Sequence, residues 1–121
     1  MTTLDPATRE RLSRVSVSTL TTCLSRKGLK NVWLRGLRPV IPNGPRMVGP
    51  AFTMRMIPCR EDIDQRPAYA AGTAVHLRAF EACPAGHVLV IDTQREHEAC
   101  ASGDLLIARL QQRGGVGSVA D

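Results

Sequence analysis

The run His87-Val-Leu-Val-Ile-Asp92 constrains this chain more than any other stretch. Four aliphatic residues in succession between polar ends predict a buried strand, the habit of parallel sheets. The flanks agree. Ala68 to Cys83 is Ala-rich and predicts a helix stopped by Pro84, after which Ala85-Gly86 makes a tight turn. Thr93 to Ser102 reads as a loop. Gly103-Asp104 then opens a helix through Leu105, Leu106, Ala108, Leu110 and Gln112, ended by Gly114-Gly115. Val116 to Ala120 starts another strand. Helix and strand in alternation predict an α/β layer arrangement.

The front of the chain is helical in a different way. Asp5-Pro6 supplies an N-cap and a proline at the first helical position, with Leu4, Leu12 and Val15 on the apolar side. A second helix is expected from Ser16 or Ser18 through Leu20, Cys23 and Leu24, closed by Gly28. Leu29 to Pro45 is rich in Arg, Gly and Pro. It predicts turns, with short extended pieces around Trp33 to Leu37. Met47 to Ile57 predicts a strand, and Pro50 places its start at an edge or a bulge. Cys59 to Pro67 is a charged loop. With 121 residues and no internal repeat, one domain spanning the chain is expected.

The formal charge of +5 raises the question of nucleic acid. The basic residues are scattered, the densest group being Arg26-Lys27 with Lys30 and Arg35. Trp33, Tyr69, Phe52 and Phe80 are isolated in sequence and make no stacking platform, so no nucleic-acid partner is expected. Cys23, Cys59, Cys83 and Cys100 lack C-x-x-C spacing and read as cytosolic thiols, mostly buried. Met1 to Glu10 is polar and no apolar run approaches bilayer length. A cytoplasmic protein without a membrane partner is the expectation.

Chemistry is best sought between Thr93 and Leu106. This loop follows the carboxyl end of a buried strand and enters a helix N-terminus, where α/β sheets bind ligands. Free backbone N–H groups of Gly103, Asp104, Leu105 and Leu106 suit a carboxylate or phosphate. The plain alternative makes Asp104 an N-cap. His97-x-x-Cys100 could offer two metal ligands, but no second pair at characteristic spacing follows. His87 fits a strand entrance, His76 a helix surface, and Asp92 a cap on the turn after its strand. No G-x-S-x-G elbow or Walker A loop occurs, and Gly114-Gly115-Val116-Gly117 lacks the third glycine of a dinucleotide fingerprint.

Three ordered stretches resemble one family. They are Gly36-Leu37-Arg38-Pro39 followed by Met47-Val48-Gly49-Pro50-Ala51-Phe52-Thr53; Cys83-Pro84-Ala85-Gly86 running into His87-to-Asp92; and Ser102-Gly103-Asp104-Leu105-Leu106 followed by Gly114-Gly115-Val116-Gly117-Ser118-Val119-Ala120-Asp121. They are similar to the motifs of the RraA-like family, which holds regulators of ribonuclease activity and 4-hydroxy-4-methyl-2-oxoglutarate aldolases. Ser18-Thr19-Leu20, Lys27-Gly28-Leu29 and Arg60-Glu61-Asp62 look most like the ribonuclease-regulator subgroup. Many aldolases of the family carry an Asp where this chain has Ser18 or Thr19.

The resemblance implies a layered α/β/α sandwich of the swivelling-domain kind, assembled as trimers or hexamers. It implies a divalent-metal lyase, with magnesium as the usual cation, acting on 2-oxo acids by retro-aldol cleavage or oxaloacetate decarboxylation to give pyruvate. The segment matching Gly103 to Leu106 would hold the substrate carboxylate, and Asp104 would orient a water for proton transfer. The family motif continues from that Asp over twenty residues to an Arg-Asp pair, which would hold substrate and metal. Counted from Asp104, the pair falls past Asp121, so the resemblance implies a domain incomplete at its C-terminus, lacking its last strands and helices. It also implies two alternatives to catalysis, a ribonuclease-binding regulatory module or an inactive fragment.

Overall fold

Capping chemistry starts the first two helices where the sequence places them. In α1, Pro6–Arg14, the Asp5 carboxylate accepts the Thr8 N–H at 2.9 Å. In α2, Val17–Arg26, the Ser16 hydroxyl accepts the Thr19 N–H at 3.1 Å. Gly28 then adopts φ +83°. The Gly28 N–H reaches the Ser25 carbonyl and the Leu29 N–H reaches that of Leu24, a Schellman closure.

The computed structural model describes residues 3–60, 62–63, 71–98 and 100–121. Its backbone contacts define two compact units, Met1–Val48 and Gly49–Asp121. The first contains α1, α2 and the turns that follow. The second contains β1, Ala51–Arg55; α3, Val75–Ala82; β2, Val88–Asp92; α4, Asp104–Gln112; and β3, Gly117–Ala120. The strands form a parallel sheet in the order β1-β2-β3. Ala51 pairs with Val88 and Val88 with Gly117, and the register runs on from there. The expected α/β class and alternation of elements are therefore present.

The core lies between the sheet and its two crossover helices. Leu89 and Ile91 of β2 meet Met54 of β1, Phe80 of α3 and Leu110 of α4, with Cys83 beside them. Phe80, Leu89 and Leu110 are at most 1% exposed, and each burial is worth about 1.5–3 kcal/mol. Glu81 ties α3 to α4 on the outside through both carboxylate oxygens, at 2.7 and 3.0 Å from the Arg109 guanidinium. Arg113 adds a third contact at 3.3 Å. Glycines admit close backbone approach at two of the motif positions. A Cβ on Gly49 would stand 2.2 Å from the Gly86 carbonyl oxygen, and one on Gly115 would stand 2.6 Å from Leu110 Cδ1. Gly114, at φ +83°, closes α4 with the same Schellman bonds as Gly28 closes α2.

Several local expectations need correction. The Ala-rich segment is helical only from Val75, because Gly72 takes φ +67° and Ala74 is extended. The part of that expected helix at residues 68–70 lies outside the described residues. β1 is shorter than the expected Met47 to Ile57. Pro50 has no N–H for the ladder, although its carbonyl still accepts the Val88 N–H at 2.9 Å. No strand forms around Trp33 to Leu37, where Asn31 at φ 56° and Gly36 at φ +82° turn the chain. β2 is fully buried only at Leu89 and Ile91, since both helices pack on that face; Val88 and Val90 are half-buried. Three of the four cysteines are exposed, leaving Cys83 as the buried one. Burial pushes the Cys83 thiol up, against the opposing pull of Arg113.

Candidate active site at the carboxyl ends of the strands

The carboxyl end of the sheet is stitched together by side chains. Asp92, the last residue of β2, accepts the Gln94 N–H at 3.0 Å and pairs with Arg55 of β1 at 2.8 Å. It is thus the turn cap expected of it. Gln94 and Arg95 both sit in the left-handed region, at φ 60° and 63°. Two successive non-glycine residues there are uncommon and need outside support. Gln94 gains it by donating from Nε2 to the Met56 carbonyl at 2.8 Å. Arg95 gains it by donating its N–H to Asp121 Oδ2 at 3.2 Å.

Asp121 is the residue that sequence reasoning missed at this end. Its Oδ1 accepts the Thr93 N–H at 2.6 Å and the Thr93 hydroxyl at 2.8 Å. The backbone N–H of Thr93, then its hydroxyl, hold the Asp121 carboxyl below its usual range. Thr93 itself is buried. A signal was available: the apolar runs of β2 and β3 both end in Asp, at Asp92 and Asp121. Both carboxylates organise the one loop that leads from the sheet to α4.

That loop delivers Gly103 to the start of α4. Gly103, rather than Asp104, occupies the N-cap position, extended at φ −93° and ψ 174°, and its carbonyl accepts the Ile107 N–H. Asp104 is therefore the first helical residue. Its Oδ1 accepts the Leu105 N–H at 2.8 Å, satisfying one of the amides that a helix start leaves without an intrahelical partner. Gly103, Asp104 and Leu105 are exposed, and Leu106 packs half-buried against the core. The four residues do come together at one helix start. The start of α4 presents the positive end of the helix, an acidic side chain on its first residue, and one amide already occupied.

The remaining sequence candidates separate from this centre. His87 is buried at the entrance to β2, with Nδ1 3.2 Å from the Ala85 carbonyl, as its position suggested. His76 lies in α3, where burial lowers its pKa. His97 is exposed, and Cys100 Sγ lies 3.0 Å from the Ser102 carbonyl. Among the described residues no three His, Cys, Asp or Glu side chains converge to hold a metal. Asp121 spends its oxygens on Thr93 and Arg95, and Asp92 on Gln94 and Arg55. These residues do not by themselves make a divalent-cation site.

The second unit is a parallel α/β unit with an exposed helix start at the carboxyl end of its central strand, the end where α/β sheets bind ligands. The model of the RraA-like family, described as Aldolase/RraA, matches residues 17–121, and the chain belongs to that family. The match spans both the first unit's second helix and the whole second unit. No curated protein and no solved structure matches the chain at a comparable level.

Proposed function

We propose that the chain is a lyase acting on 2-oxo acids, by retro-aldol cleavage or oxaloacetate decarboxylation to pyruvate, with a divalent cation, magnesium, as cofactor. The observation that carries this reading is the exposed start of α4 after the loop from β2, in a chain of the Aldolase/RraA family. The backbone N–H groups of Gly103, Asp104 and Leu106 would donate to the substrate carboxylate, helped by the helix dipole. Asp104 would exchange its Leu105 N–H for a proton-handling role. That single rotation frees one more amide for the substrate and exposes a carboxylate beside it. A divalent cation, held by residues other than these, would supply polarisation of the 2-oxo group, while the residues named here would supply the amides and the Asp104 carboxylate. A homotrimer or homohexamer, in a cytoplasmic setting, belongs to the same proposal; no helix of the described residues is long and apolar enough to cross a membrane.

The test supplies magnesium and oxaloacetate and follows pyruvate against a protein-free control. Pyruvate above that control is expected, and Asp104→Asn should lower the protein-dependent rate by about 100-fold. A rate equal to the control, with and without the substitution, would sink the enzyme reading. The second reading is a ribonuclease-binding regulatory module without catalysis. It is favoured by Ser18 and Thr19 standing where many family aldolases carry an Asp, and by the absence of a converged donor set among the described residues. Ribonuclease inhibition without pyruvate formation would select it.

A further inference from the structure

Between Glu10 and Glu61 the chain contains no acidic residue. Within that stretch the end of α2 and the following turn border a wide, shallow groove of about 640 Å³. Arg26, Lys30 and Arg35 line it, together with Ser25 and Trp33. None of the three cations pairs with a carboxylate among the described residues. Trp33 is the chain's single tryptophan, yet it is 58% exposed rather than placed in an aromatic-poor core. An exposed indole beside three cations that pair with no carboxylate among the described residues combines a stacking face with charge for an anion.

We propose that this groove binds a nucleotide phosphate, its base stacked on Trp33 and its phosphates held by Arg26, Lys30 and Arg35. Charge complementarity selects an anion, and the indole face selects an aromatic ring joined to it. Both Arg side chains can grip phosphate oxygens through two N–H groups at once. The site lies in the first unit, consists of residues other than Gly103 to Leu106, and does not depend on the lyase reading.

Trp33 reports directly, because no other indole contributes to the emission. ADP titrated into the whole protein should quench that emission saturably, and pyrophosphate should reverse the quench by competition. Arg26→Gln combined with Arg35→Gln should weaken ADP by more than about tenfold, and Lys30→Gln alone should weaken it by a smaller factor. All three positions are exposed, and far-UV circular dichroism checks that the variants keep their helices. The proposal is overturned if millimolar ADP leaves the emission unchanged, or if adenosine quenches as well as ADP. Unaltered affinity in the double variant overturns it too. Oligoribonucleotides whose affinity keeps rising with length would replace it with a nucleic-acid track.

Discussion

The two units of this chain use the same local devices and differ in everything that burial supplies. α2 and α4 each end on a glycine at φ +83° with the same pair of Schellman bonds. Around α4 those bonds sit against Leu110, which is 1% exposed. Around α2 no side chain is buried: every described residue up to Val48 is exposed or half-exposed, including Val40 at 97% and Ile41 at 69%. Charge divides the same way. Met1–Val48 carries nine Lys or Arg against two acids, Asp5 and Glu10, whereas Gly49–Asp121 carries seven against nine. Local hydrogen bonds can end a helix at a given residue. They cannot by themselves remove apolar area from water, which is the larger stabilising term.

The contrast breaks if core truncation in the second unit proves mild. Phe80→Ala should cost about 3–5 kcal/mol, because Phe80 is fully enclosed by both helices and the sheet. Urea unfolding measures it, and a loss below about 1 kcal/mol would show that the core is not the source of order there. Gly49→Ala comes next, at about 1–3 kcal/mol, since the new methyl would meet backbone rather than a movable side chain. The midpoint of the same denaturation reports it. In the first unit the largest available local effect is smaller. Ser16→Ala removes the α2 cap and should cost about 1 kcal/mol, read as faster amide exchange confined to the first turn of α2.

The smallest effect sharpens the comparison at the site. The Asp121 carboxyl is held below its usual range in the folded chain, so its contribution is complete at neutral pH. That contribution is lost as pH falls through the acid range in which the folded group takes up its proton. Amide resonances of Thr93 and Arg95 should therefore titrate at low pH and become pH-independent in Asp121→Asn. Titration that persists in the variant would assign it to another group. Asp5, lowered by its Thr8 hydrogen bonds, should give the same sign at the start of α1, but there it would report one helix turn and not a loop shared by two strands.

Much of this was readable from the residues because the signals are local. Asp5-Pro6, Ser16, Gly28, Gly103 and Gly114-Gly115 mark helix ends through bonds spanning three to five residues. The run at His87 to Asp92 marks its strand by composition alone. The errors have equally physical causes. Gly72 overrode an alanine-rich helix, and Asn31 and Gly36 bent a segment that looked extended. At the candidate site, the order Gly103-Asp104-Leu105-Leu106 was legible, but the cap position was shifted by one residue. The role of Asp121 was not legible, because it acts on Thr93 and Arg95, which lie 28 and 26 positions earlier.

Sequence by itself therefore determined the helix boundaries set by caps, the buried central strand, and the motifs that join this chain to the RraA-like family. Tertiary structure alone decided which face of β2 is dry, why Gly49 and Gly115 admit no side chain, and which carboxylate holds the loop before α4. The physical reason is range. Capping and turn bonds close within a few residues and leave their mark in short strings. Packing and the Asp121 contacts close across the sheet, where only the register of the three strands brings distant residues together.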